Sequence, residues 1–136
     1  MIKEIKHNGK VIAIIYRKNE KEETIHFLTD EQNNFQVALL NHKKGHVIPI
    51  HFHNPIKRNI TGTDEMLYVE EGKMKVLFYS KGPKNKAKKI AEGILIKGDI
   101  VNLISEAHGF EFLEKSRIVY VKQGPYINKI TDKKIL

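Results

Sequence analysis

Seven histidines are the residues best equipped for chemistry in this 136-residue chain, because it has no cysteine. Without thiols there is no disulfide framework, no thiolate zinc or iron–sulfur ligation and no cysteine nucleophile. Any transition metal must then be held by His, Asp or Glu. His51 and His53 stand two apart in Val47-Ile48-Pro49-Ile50-His51-Phe52-His53, an apolar run predicted to be a strand over 46–53. Successive strand side chains point to opposite faces, so both imidazoles leave the same face. At about 7 Å between Cα atoms they can converge on one ion. Phe52 then faces the other way, towards a subunit interface or a covering segment, which leaves a homodimer open. His7, His26, His42 and His46 have no partner that the sequence names and are read as exposed or structurally satisfied.

A lone His-x-His arises easily by accident; its framing carries more. Gly45 is followed by five residues, His51, Phe52 and His53, and later come Glu65, six residues and Gly72. Further on stand Gly98-Asp99, a β-rich run and His108-Gly109-Phe110. This pattern resembles the two motifs of the cupin superfamily, the first at about 45–72 and the second at about 98–113. Gly45, His51, His53, Glu65 and Gly72 match every residue of the first, and Gly98, Asp99 and His108 match the ends of the second. Two departures stand out. Eleven residues, Asn54 to Asp64, separate His53 from Glu65 where three or four are usual. Ile104-Ser105-Glu106 replaces the usual Pro-x-Gly turn, and the approach to His108 is one residue short. The resemblance implies a small double-stranded β-helix or jelly-roll barrel. It also implies a divalent metal bound by His51, His53, Glu65 and His108, with positions left open for water or substrate. Three imidazoles and one carboxylate suit Fe, Mn, Ni, Co or Zn alike. The alternative is a metal-free cupin whose histidines bind one another or a ligand directly.

The elements that must position these residues read as all-β, since period-2 alternation dominates and helical periodicity is nearly absent. Strands are predicted at Lys10 to Arg17, Thr24 to Leu28, Gln36 to Asn41, His46 to His53, Glu65 to Glu70, Lys73 to Tyr79, Lys89 to Ile96, Ile100 to Ile104, Gly109 to Leu113 and Ser116 to Gln123. Turn signals separate them, among them Asn8-Gly9, Glu71-Gly72, Gly82-Pro83 and Gly98-Asp99. About ten short strands at this spacing suggest a sandwich or barrel, and no linker divides the chain, so 1–136 reads as one domain. The segment 29–34 could be a helical turn, and the tail from Ile127 to Leu136 a strand, a helix or a frayed end.

Strand parity puts Leu67 and Val69 on the face of Glu65, and Phe110 and Phe112 on that of His108, giving an apolar pocket around the polar cluster. The loop 54–64 begins after one expected ligand and ends before another. Its Lys57, Arg58, Asn59, Thr61 and Thr63 are donors suited to a phosphate, a carboxylate or sugar hydroxyls. Lys57, Arg58 and Phe110 are thus the candidate substrate-binding residues, with Lys122, Gln123 and Tyr126 as further rim residues. Glu106 and Tyr126, each near a motif end, are the candidates for acid–base catalysis.

The net charge of +8 invites a nucleic-acid reading, but its placement argues against one. Lys81, Lys84, Lys86, Lys88 and Lys89 crowd around the Gly82-Pro83 turn signal, where they most simply solvate a hairpin tip. Only three arginines are present, that loop has no aromatic residue, and Glu20, Glu22 and Glu23 form an acidic counter-segment. Residues 1–6 contain no apolar leader core, and the longest apolar run, Val11 to Tyr16, is too short to cross a bilayer. The expectation is a cytoplasmic, non-membrane protein with a small-molecule substrate or ligand. Three functions are weighed: a metal-dependent isomerase, epimerase or oxygenase acting on a small anionic or sugar-like substrate; a cupin that holds a metal or ligand without turnover; and, behind both, basic nucleic-acid binding through the lysine loop.

Overall fold

A computed structural model describes residues 1–18, 26–83 and 85–136. Glu20, Glu22, Glu23, Thr24 and Lys84, named above, lie outside them. Among the described residues, ten strands and one helical turn follow in chain order: β1 (Ile2–His7), β2 (Lys10–Tyr16), β3 (His26–Phe27), β4 (Ala38–Leu39), β5 (Glu65–Glu71), β6 (Lys73–Tyr79), β7 (Lys89–Ile96), β8 (Ile100–Leu103), β9 (Ala107–Phe112), β10 (Arg117–Lys122) and α1 (Lys129–Asp132).

Two antiparallel sheets face one another. One has five strands in the order β1-β2-β8-β5-β10, the other three in the order β7-β6-β9. Alternation decides what lies between them. Ala13 and Ile15 of β2, Leu67 and Val69 of β5, and Val101 and Leu103 of β8 pack with Met74, Val76 and Phe78 of β6 and Leu95 of β7. Each fully buried apolar side chain contributes about 1.5–3 kcal/mol. Behind the larger sheet, Tyr16, Leu28 and Ile100 form a second cluster with Val37, Leu39, Met66 and Tyr68, covered by the short β3–β4 ladder. The all-β expectation holds, and among the described residues the two sheets face one another with separate edges and do not close into a barrel.

The motif glycines mark places where the chain passes between sheets. Gly72, φ +95°, joins β5 to β6, and a Cβ there would collide with Ser116 Oγ and lie 2.5 Å from the Lys115 carbonyl oxygen. Only glycine fits both the backbone angle and the space. Gly98, φ +93°, leads from β7 to β8, and Asp99 beside it is 3% exposed. The Asp99 carboxylate accepts from the backbone N–H groups of Ile96 (2.9 Å) and Lys18 (3.1 Å), and from Arg17 Nη1 at 3.0 Å. Arg17 also donates to the Ile94 carbonyl, so one carboxylate ties β2 to the β7–β8 crossing.

Two expectations need correction. β1 is an additional strand, one that shows no pattern because in Ile2-Lys3-Glu4-Ile5-Lys6-His7 only Ile5 is buried; the Asn8-Gly9 turn, with positive φ at both residues, folds it onto β2. Of the alternatives for the tail, the helix is found, as the single turn α1. The strand expected at His46 to His53 is absent: residues 40–63 carry no strand and are exposed throughout. Pro49 and Pro55 lack an N–H for a ladder, and an alternating sequence becomes a strand only beside a partner. The lysine-rich stretch does connect the β6–β7 hairpin, closed by the Ser80 N–H donating to the Lys88 carbonyl (2.9 Å).

Asp99→Ala removes three bonds and leaves the Arg17 guanidinium without its carboxylate. A loss of about 2–4 kcal/mol of unfolding free energy is expected by urea titration.

Candidate ligand site at the end of the sandwich

Glu65 opens β5, and its inward parity carries the carboxylate to the end of the shared interior. Directly across β10 stands Lys122, and Tyr120 pairs with Leu67, so Tyr120 and Lys122 share the inner face with Glu65. From the opposite sheet, His108 of β9 pairs with the buried Phe78 and so also faces inward. Glu65 accepts a hydrogen bond from the Tyr120 hydroxyl at 2.7 Å, and His108 Nε2 lies 3.4 Å from its other oxygen. The Glu65 and His108 side chains are 12% and 24% exposed, sheltered but reachable. Phe110 is half-buried against the core, its ring 5.4 Å from that of His108.

Electrostatics at this end favour the carboxylate. Burial pushes Glu65 upward, but the hydrogen bonds from His108 and Tyr120 and the charges of His108 and Lys122 outweigh it, holding Glu65 below the ordinary carboxylate value. Tyr120 is pushed well above the usual phenol range by burial first and then by its bond to Glu65. It therefore remains a proton donor at any physiological pH. Lys122 continues the cluster outward: its Nζ lies 3.1 Å from Asp132 Oδ2 of α1 and 4.7 Å from the centre of the Tyr126 ring.

The four expected metal ligands are divided. Glu65 and His108 are brought together; His51 and His53 lie in the exposed 40–63 segment with their rings 5.4 Å apart, His51 Nδ1 being 2.7 Å from the Pro49 carbonyl oxygen. Among the described residues no three His, Asp or Glu side chains converge. This arrangement does not fit a four-ligand centre. Glu106, with φ +65°, turns its carboxylate to accept from the Lys81 N–H at 2.6 Å, which ties it to the β6–β7 connection. Gln123 exchanges bonds with Asp64: the Asp64 N–H donates to its side chain and its own N–H to the Asp64 carbonyl. Arg58 lines a polar cleft with Asn33, Asn34 and Gln36, whose lining includes neither Glu65 nor His108, and Lys57 is exposed. Phe112 is 56% exposed near the end of β9, outside the interior expected for it, and Phe52 is 85% exposed.

Tyr120 and Asp132 escaped the sequence reading. Parity along the final strand could have found Tyr120, which stands two residues before Lys122. Asp132 carried no comparable signal, because the turn that presents it is four residues long. Compared with models of protein families, with curated proteins and with solved structures, the chain matches none.

A group whose folded-state pKa is depressed stabilises the fold above its unfolded value, here the ordinary 4.5, and loses that contribution as the pH falls through the lower folded value. With chelator present, Glu65→Gln is therefore expected to lower stability at pH 7 by about 1–3 kcal/mol. The gap to the parent chain should close as the pH is taken well below 4.5. Urea titrations at several pH values read both effects.

Proposed function

We propose that this chain is a small cupin that binds a divalent metal and a small polar ligand at the Glu65–His108 end of the sandwich. The observation that carries the reading is the meeting of Glu65 and His108, from different sheets, on one inner face with Tyr120. These are two of the four residues that the motif pattern singles out.

In this reading the 46–53 segment supplies the other two by adding to the open edge of β9. Several features support it. The segment alternates as a strand does, yet leaves Val47, Ile50 and Phe52 exposed, and an exposed apolar run asks for a cover. β9 ends its sheet, and among the described residues no strand pairs with its outer side. Residues 41–63 carry Lys43, Lys44, Lys57 and Arg58 and no Asp or Glu, whereas 100–114 carry Glu106, Glu111 and Glu114 and no Lys or Arg. Residues 54–64 form an ample tether, since each extended residue spans about 3.3–3.6 Å. An added strand with His51 and His53 inward would face them towards Glu65 and His108. A holding function suits the site better than acid–base turnover, because Glu106 is tied to a backbone N–H outside it.

Protein purified without a metal-affinity tag and assayed by elemental analysis is expected to hold about one divalent transition metal per chain. His51→Ala with His53→Ala, and separately Glu65→Gln with His108→Ala, should each lower that content at least tenfold. Full retention in either double variant, or no metal in the parent chain after incubation with Zn, Mn, Ni, Co and Fe salts, contradicts the reading.

A further inference from the structure

The Lys122 ammonium group is more sheltered than an ordinary surface lysine. Its side chain is 18% exposed, it stands across the β5–β10 register from Glu65, and the face of Tyr126 lies against it. Its partner, the Asp132 carboxylate, is 17% exposed. That carboxylate is borne on an element with little else to hold it. α1 is a single turn with no buried residue, capped by the Asn128 side chain, and Ile127, Ile130 and Ile135 around it are 75–92% exposed. An ion pair this sheltered is uncommon on a segment that buries so little of itself.

The surroundings show what else could use the same ammonium. Next to it on the inner face are the Glu65 carboxylate, the Tyr120 hydroxyl and the His108 imidazole, groups that exchange hydrogen bonds with hydroxyls of a small ligand. A ligand lying against them meets Lys122 next. From this juxtaposition we infer that Lys122 anchors a carboxylate of the ligand, a polyhydroxylated acid, and that Asp132 fills the subsite when the ligand is absent. The two carboxylates are interchangeable at the ammonium, so displacement leaves its charge paired throughout. The cost is the release of one exposed turn. The inference rests on the Glu65–His108 end being the ligand site but does not require a metal there.

The test titrates the full, ¹⁵N-labelled chain with D-glucuronate and, separately, with D-glucose, which carries a hydroxymethyl group in place of the carboxylate. Glucuronate is expected to shift the amides of Lys122, Tyr126 and α1. Asp132→Asn should tighten its binding about fivefold, because the competing carboxylate is gone. Lys122→Met should abolish glucuronate binding, and Lys122→Arg should retain it. Glucose affinity should be indifferent to Asp132→Asn. An unchanged glucuronate affinity in Asp132→Asn overturns the inference, as does undiminished binding to a folded Lys122→Met, or no detectable glucuronate binding to Asp132→Asn at about 50 mM, well beyond the millimolar weak-ligand range. The same titration on His51→Ala with His53→Ala separates the two claims. If only the metal reading fails, the Lys122 and Asp132 effects persist there; if the site reading fails, shifts appear away from Glu65 and His108.

Discussion

Two sheets share one apolar interior, and the placement of Glu65, His108 and Tyr120 follows from that constraint. Alternation sends every second residue of β5, β6 and β8 into a space filled by Leu67, Val69, Met74, Val76, Phe78 and Leu103. At the positions where β5 begins and β9 enters the sandwich, the inward residues are polar. Glu65 and His108 cannot be accommodated among the aliphatic side chains and meet instead at the end of the interior, 3.4 Å apart. The desolvation of Glu65 is offset by a phenol, an imidazole and a nearby ammonium. Fold and site are therefore two consequences of one pattern: the core fixes the strands, and the strands bring together residues 43 positions apart in sequence.

The sandwich strands were largely legible because their signals are local. Period-2 alternation marks β6 and β9 and short apolar runs mark β2, β5, β7, β8 and β10, while Gly72 and Gly98 mark the crossings, with backbone angles and close approaches that explain the glycines in their own right. β1 escaped because one buried residue, Ile5, makes no visible pattern, and its strand state comes from pairing with β2. The 46–53 segment misled in the opposite way. Its apolar run ends in the alternation Ile50-His51-Phe52-His53, but such a pattern states a preference for a sheet without supplying the neighbour. In the site, Glu65 and His108 were legible from spacing and parity. Tyr120 takes its meaning from Glu65, far along the chain, and is found only once strand parity has placed it on the same face; Asp132 gave no signal, because the turn that presents it is four residues long.

Two lightly buried segments adjoin the strands that carry the cluster. The exposed 40–63 stretch, with His51 and His53, ends shortly before Glu65 of β5, and α1 follows β10 and is held through Asp132 to Lys122. Both carry exposed apolar residues, so both bury little in the arrangement described. A cluster with a firm centre and lightly held flanks suits a site that gathers its remaining contacts when something binds. The preformed part is Glu65, His108 and Tyr120, held by the sheets.

The proposed addition of 46–53 to β9 is the central claim, because the metal reading depends on it. Amide hydrogen exchange across 46–53, with and without added Zn²⁺, tests it most directly. Slowed exchange of alternate amides in this segment on metal addition, accompanied by new protection along the open edge of β9, is the predicted result. Exchange at the rate of an unstructured chain throughout 46–53, with the metal bound, would contradict it.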